Sequence, residues 1–135
     1  MKPRILVVDD APAMAEAVAD GLGDAGFQAR AMSDATEAAH LLVTDAFDAL
    51  VTDLRMPEID GLGLVALSRR HAPERPVIVM TAFSAVESAI ASIREGAYHY
   101  LTKPFKIDEL ALFLNRALDE ANVRREAREL RRELD

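Results

Sequence analysis

A chain of 135 residues suits one domain and leaves little room for two. Half of it is hydrophobic, enough for a sizeable core, and a formal net charge of -7 argues against binding nucleic acid or an anionic membrane through bulk charge. The lack of cysteine excludes disulfides and thiolate metal sites and fits a reducing compartment. Ile5-Leu6-Val7-Val8 is too short an apolar run for a signal peptide or a membrane span, so a cytoplasmic protein is expected.

That run, closed by Asp9-Asp10, has the pattern of a buried strand. Pro12 suits the first turn of a helix, and Met14, Val18, Leu22 and Ala25 follow at helical spacing until Gly26. Phe27 opens a weaker second strand that runs through Met32. Asp34 with Glu37 forms a capping box for a helix whose apolar face is Ala38, Leu41 and Leu42. Residues 49–52 make the third strand, and residues 61–71 the third helix, with Leu62, Val65 and Leu67 as its apolar positions. Residues 76–80 make the fourth strand, which ends at Thr81. Ser84 with Glu87 is a second capping box, for a helix that Gly96 stops. Residues 97–101 are expected as the fifth strand, and a long helix starts near Asp108 and continues to the end.

Five alternations of strand and helix, with the first, third and fourth strands almost wholly apolar, indicate an α/β sandwich of three layers around a five-stranded parallel sheet. Such sheets place their ligands beyond the carboxyl ends of the strands. The scattered glycines, Gly21 and Gly23 among them, fit no nucleotide-binding fingerprint. The polar residues that end the strands carry the information instead. The first strand ends on Asp9-Asp10, the third on Asp53 and the fourth on Thr81, and Lys103 follows the fifth.

In a parallel sheet these five residues converge on one edge. Three clustered carboxylates repel one another, and a hard divalent cation relieves that repulsion. Lys103 adds a second positive charge, and the Thr81 hydroxyl suits an oxyanion. This is equipment for phosphoryl transfer to an aspartate, where positioning and charge neutralisation supply most of the catalysis.

Asp9-Asp10, Asp53 before Met56-Pro57 and Asp60-Gly61, Thr81-Ala82, and Lys103-Pro104-Phe105 together resemble the receiver domain of two-component response regulators, in order over residues 4–118. The resemblance implies a flavodoxin-like, CheY-like fold with strand order 2-1-3-4-5. It implies that Asp53 accepts phosphate from a sensor histidine kinase. Mg²⁺, with Mn²⁺ as a substitute, would be held by Asp10 directly, by Asp9 largely through water, by Asp53, and by the backbone carbonyl of Arg55. Thr81 and Lys103 would meet the phosphoryl group, Tyr100 would be the switch aromatic, and the Lys103–Pro104 bond would be cis. Bulky Arg55 and Phe83 occupy two positions that tune phosphate lifetime in the family and are expected to lengthen it. Ala11 stands where many receivers carry a third acid, with little expected loss of metal binding because the aspartate pair is intact.

Thr81-Ala82-Phe83, Glu95-Gly96-Ala97-Tyr98 and Tyr100-Leu101-Thr102-Lys103-Pro104-Phe105 are most similar to receivers of the nitrogen-regulatory type. Those usually precede an AAA+ ATPase and a DNA-binding domain that activate transcription with the alternative sigma factor. Neither lies within these residues, and the chain is expected to be part of a longer protein.

The expected organisation is a receiver over residues 1–118 and an extension of its last helix over residues 119–135. Leu110, Leu114, Ala117 and Ala121 form a stripe for packing on the domain, and Val123, Ala127, Leu130 and Leu134 a second at 4-3-4 spacing. The second stripe, flanked by the i,i+4 pairs Glu120–Arg124 and Arg125–Glu129, is expected to pair with a second copy, as is the face made by the fourth helix, fifth strand and last helix. The arginines of this segment share it with six acids, which argues against contact with nucleic acid.

Blander readings exist for each residue. Asp53 alone fits a loop cap, Asp9-Asp10 a turn before Pro12, Thr81 a strand-favouring end, Lys103 a solvated loop and Tyr100 simple packing. The combination outweighs them. His40, His71 and His99 show no metal spacing and are expected on the surface, and Met14, Met32, Met56 and Met80 are core or loop fillers. An aspartate-nucleophile phosphatase needs a second acid two residues after its nucleophile, where Arg55 stands, and an inert interaction module would have lost one of the charged positions.

Overall fold

The computed structural model describes residues 1–57, 59–82 and 86–134. Strands and helices alternate: β1 (Arg4–Val8), α1 (Pro12–Asp24), β2 (Gln28–Met32), α2 (Ala35–Thr44), β3 (Ala49–Asp53), α3 (Gly61–His71), β4 (Val77–Ala82), α4 (Val86–Glu95), β5 (His99–Lys103) and α5 (Ile107–Leu134). All strand pairs are parallel, in the order β2-β1-β3-β4-β5. The order reverses direction between β1 and β3, which opens a crevice at the carboxyl edge there.

Side chains alternate across the sheet, so each apolar strand feeds two cores. Ile5, Val7, Val51, Ile78, Met80 and Leu101 pack with Val18 and Leu22 of α1 and Leu110 and Leu114 of α5. Leu6, Val8, Leu50, Val77 and Val79 face Leu42 of α2 and Leu64 and Val65 of α3. Continuous apolar runs are what a strand covered on both faces requires.

The helix starts follow their caps. The Asp34 carboxylate accepts from the backbone N–H groups of Thr36 and Glu37, and Asp60 accepts from Gly63. Asp34→Ala should cost about 1 kcal/mol, read as a lower denaturant midpoint at unchanged slope. Ser84 and the second capping box lie outside the described residues.

Several expectations need correcting. The fifth strand begins two residues later than expected and includes Lys103. Gly96 turns the chain out of α4 at φ 118°, and the Ala97 N–H is still bonded back to the Ser92 carbonyl, so residue 97 completes the turn and Tyr98, whose N–H reaches the Val77 carbonyl, leads into the strand. In α1 the buried side is Ala15, Val18, Ala19 and Leu22. Met14 is 38% exposed and lines a small apolar cavity with Pro104 and Phe105. In α3 Leu64 is fully buried while Leu62 and Leu67 are half-buried, because Leu64, Val65 and Ser68 share the side that faces the sheet.

His99 is not a surface residue. It is half-buried, with its ring 4.2 Å from that of Phe113, and its Nδ1 accepts from the Tyr100 N–H at 2.7 Å. In α5 the intrahelical pairs expected for Glu120 and Arg125 give way to longer-range partners. Glu120 accepts from the Tyr98 hydroxyl at 3.1 Å, and Arg125 reaches Glu74 in the loop between α3 and β4.

Candidate functional site

The sheet register sets the residues side by side. Val8 pairs with Thr52, so Asp9 and Asp53, one residue further on, leave adjacent strands together. Asp53 pairs with Met80, and Thr81 with Thr102, which brings the ends of β4 and β5 alongside. Asp9, Asp10 and Asp53 present carboxylate oxygens that all lie within 4.8 Å of one another. Asp9 is buried, Asp53 half-buried and Asp10 exposed.

Lys103 joins two of the three. Its ammonium donates to Asp9 Oδ2 at 2.9 Å and lies 3.2 Å from Asp53 Oδ1. The other Asp9 oxygen accepts from the Ala11 N–H at 3.0 Å. Burial opposes the charge on Lys103, but the hydrogen bond to Asp9 and the fields of Asp53 and Asp9 outweigh it, and its pKa is raised. Burial also pushes the Asp53 carboxyl up. Lys103 pulls it back and Asp9 pushes it further up, and the net shift is upward. The acceptor candidate is therefore a carboxylate whose charge its surroundings only partly compensate.

The donor set tests a hard cation. Three convergent carboxylates, one of them exposed, offer oxygen ligands with access to water, which suits Mg²⁺ because that ion keeps several waters. The residues present fit such an ion. Arg55, on the loop leaving β3, is exposed. Phe83 lies outside the described residues.

Thr81 is buried, and its hydroxyl donates to the Ala82 carbonyl at 3.4 Å. Tyr100 is half-buried against the core on the α3 side. The Lys103–Pro104 peptide is cis. Val123, Leu130 and Leu134 are 64%, 60% and 81% exposed, and Ala127 is exposed as well, so this stripe stands apart from the site and from both cores.

Sequence reasoning missed the wall beside Asp10. Ser33, Asp34, Ala35, Met56 and Pro57 line a cleft of about 370 Å³ with it. Asp34 carries a visible capping signal, but its place next to the aspartates follows from β2 pairing with β1, which no local pattern specifies.

The sequence profile of the response regulator receiver domain matches residues 5–115. The regulatory protein AtoC of Escherichia coli (strain K12) is 37% identical over 131 residues, which cover 97% of this chain and 28% of that protein. The nitrogen assimilation regulatory protein NtrX of Azorhizobium caulinodans is 37% identical over 133 residues, covering 97% of this chain and 29% of that protein. The chain thus spans under a third of the length of these relatives. The crystal structure of NtrX from Brucella abortus in complex with ADP superposes with a TM-score of 0.90 at 35% identity, over 96% of this chain and 30% of that one. A response regulator receiver domain protein from Clostridium thermocellum superposes with a TM-score of 0.85 at 26% identity, over 90% of this chain and 98% of that one.

Proposed function

The chain belongs to the response regulator receiver domain family, and from that premise we propose that it is a phosphorylation switch whose acceptor is Asp53 and whose donor is the phosphohistidine of a sensor histidine kinase. An Asp53 oxygen attacks phosphorus and forms the acyl phosphate bond. The bond from phosphorus to the imidazole nitrogen breaks, its electron pair returns to the ring, and solvent supplies the proton. The observation that carries this reading is the Lys103 ammonium in contact with both Asp53 and Asp9.

In this reading Asp9, Asp10, Asp53 and the Arg55 carbonyl hold Mg²⁺, or Mn²⁺ in its place. The ion, when bound, supplies positive charge against the acceptor and phosphoryl oxygens. Lys103 neutralises charge on a phosphoryl oxygen. The Thr81 hydroxyl exchanges the Ala82 carbonyl for a phosphoryl oxygen, and Tyr100 moves inward behind it. The reaction is the domain's own phosphorylation and dephosphorylation, not turnover of an external substrate. Arg55, two residues after the acceptor, disfavours a phosphatase, which needs an acid there.

The output is a change in the face made by α4, β5 and α5. Ile90 and Ile93 on α4 and Leu112 on α5 are 46%, 40% and 49% exposed, apolar side chains available to a second copy. A differential contact of about a few kcal/mol is enough to shift such an equilibrium. The switch would act in the cytoplasm on AAA+ and DNA-binding domains beyond these residues, and so on transcription. No helix among the described residues is long and apolar enough to cross a membrane.

Titration with beryllofluoride, which mimics a phosphoryl group on an aspartate, tests the reading. Binding should require Mg²⁺ and vanish in Asp53→Ala. Binding without the metal, or retained by the variant, would overturn it.

A further inference from the structure

A basic cleft lies at the amino edge of the sheet, opposite the edge that carries Asp53. There β4 starts at Val77, and the Tyr98 N–H ahead of β5 bonds to the Val77 carbonyl at 2.7 Å. The cleft has a volume of about 270 Å³. Arg69 of α3, Arg75 of the loop before β4 and Arg124 of α5 all line it, together with Glu74, Gly96 and Tyr98.

The charges in this lining do not cancel. The Glu74 carboxylate is already held by Arg125 and Arg128. Among the described residues, no carboxylate comes within ion-pair distance of Arg69, Arg75 or Arg124. Arg69 Nη1 donates to the Glu95 carbonyl at 3.2 Å. Arg75 is 8% exposed, and donates from Nε to the Ser68 hydroxyl at 2.9 Å and from Nη2 to the Leu42 carbonyl at 3.0 Å. Both of those partners are neutral, and burial lowers its pKa. Arg124 is exposed, and the Glu120 carboxylate one turn before it accepts from the Tyr98 hydroxyl instead.

Basic residues near the end of a helix ordinarily answer its negative pole. That accounts for Arg69, bonded to a carbonyl at the end of α4, and for Arg75, bonded to one in the last turns of α2. It does not account for Arg124. This residue comes from the middle of α5 and, among the described residues, meets neither a carbonyl nor a carboxylate.

We propose that this cleft binds a small polyanion, one with two or more phosphate or carboxylate groups, between Arg124 of α5 and Arg69 and Arg75 on the α3 side. Guanidinium groups suit such a ligand because their N–H groups meet its oxygens two at a time. A cleft focuses their field, whereas the chain as a whole, at a net charge of -7, repels anions. The bound ligand ties α5 to the loop before β4, beside the Glu74 contacts, and so acts on that helix from the edge opposite Asp53. The proposal does not rest on Asp53.

Titration calorimetry with pyrophosphate and, separately, with citrate tests it. Metal-free buffer at low salt leaves the Asp53 cluster no cation with which to hold either probe. At least one probe should bind saturably, one per chain, and shift the amide resonances of Gly96 and Tyr98. The tighter probe identifies the ligand as a phosphate or a carboxylate compound. Arg124→Gln should weaken binding at least about tenfold through loss of charge-assisted hydrogen bonds. Arg131→Gln makes the same change of charge further along α5 and should leave binding within about twofold. Both arginines are exposed, so neither variant threatens the fold. Glu74→Gln removes the carboxylate from the lining and should tighten binding severalfold. No saturable binding of either probe would overturn the proposal. So would an equal loss in the two arginine variants, or resonance shifts confined to the residues around Asp53.

Discussion

Replacing Asp53 with asparagine should abolish phosphorylation and, at the same time, raise the melting temperature by a few degrees at pH 7 in metal-free buffer. The first effect follows from loss of the carboxylate placed against both Lys103 and Asp9. The second follows from the upward shift of its carboxyl, caused first by burial. A carboxyl whose folded pKa lies above its unfolded value holds its proton longer in the folded state. It favours folding fully only below the ordinary carboxylate value of about 3.9. That contribution is lost as pH rises through the folded pKa, so the ionised form burdens the fold at neutral pH. Asparagine keeps the shape without the charge, and its advantage should shrink towards zero near pH 4. Paired thermal melts at the two pH values check this. A variant less stable than the parent at pH 7 would mean that the Lys103 contact outweighs burial.

Gly61→Ala should cost about 1–3 kcal/mol and slow phosphorylation as well. A Cβ at Gly61 would sit 2.4 Å from the Asp53 carbonyl oxygen and 2.7 Å from Leu54 Cα. Both are backbone atoms, and the Asp53 end of β3 is held in the sheet by its pairing with Met80, so neither can step aside cheaply. The Gly61 N–H also donates to the Leu54 carbonyl at 2.7 Å, which fixes the approach. The loop that must give is the one leaving the acceptor and carrying the Arg55 carbonyl. Gly23→Ala is the matched control. It lies inside α1, meets nothing within 4 Å, and should stabilise by roughly 0.5–1 kcal/mol through helix propensity. Denaturant midpoints for both variants, with phosphoryl transfer rates from a kinase or a small phosphodonor, separate the outcomes.

The legible parts of this fold are those where a local pattern has one physical solution. An apolar run such as residues 5–8 that stops at two aspartates has to be a buried strand with its charges at the tip. Asp60 before Gly61 fixes the start of α3, and His71 its end. The parts that were not legible depend on partners distant in sequence. Ala97 looks like strand, but the turn at Gly96 consumes it. His99 looks like a surface residue until Phe113, on another element, covers its ring. Arg125 has a good helical partner in Glu129 and takes Glu74 instead, 51 residues away. The site behaves in the same way. Its charged residues could be named from the strand ends, whereas the place of Asp34 beside Asp10 needed the register of the sheet.

The reach of α5 beyond Ala121 gives the domain a mechanical advantage. Thirteen residues of helix extend about 20 Å, and a stiff rod of that length magnifies any rotation at its root. A tilt of about 5° at Ala121 carries Leu134 through roughly 2 Å. Glu74, gripping the rod one turn past its root, is the fulcrum. A rearrangement too small to alter the core can therefore be large by the time it leaves the domain.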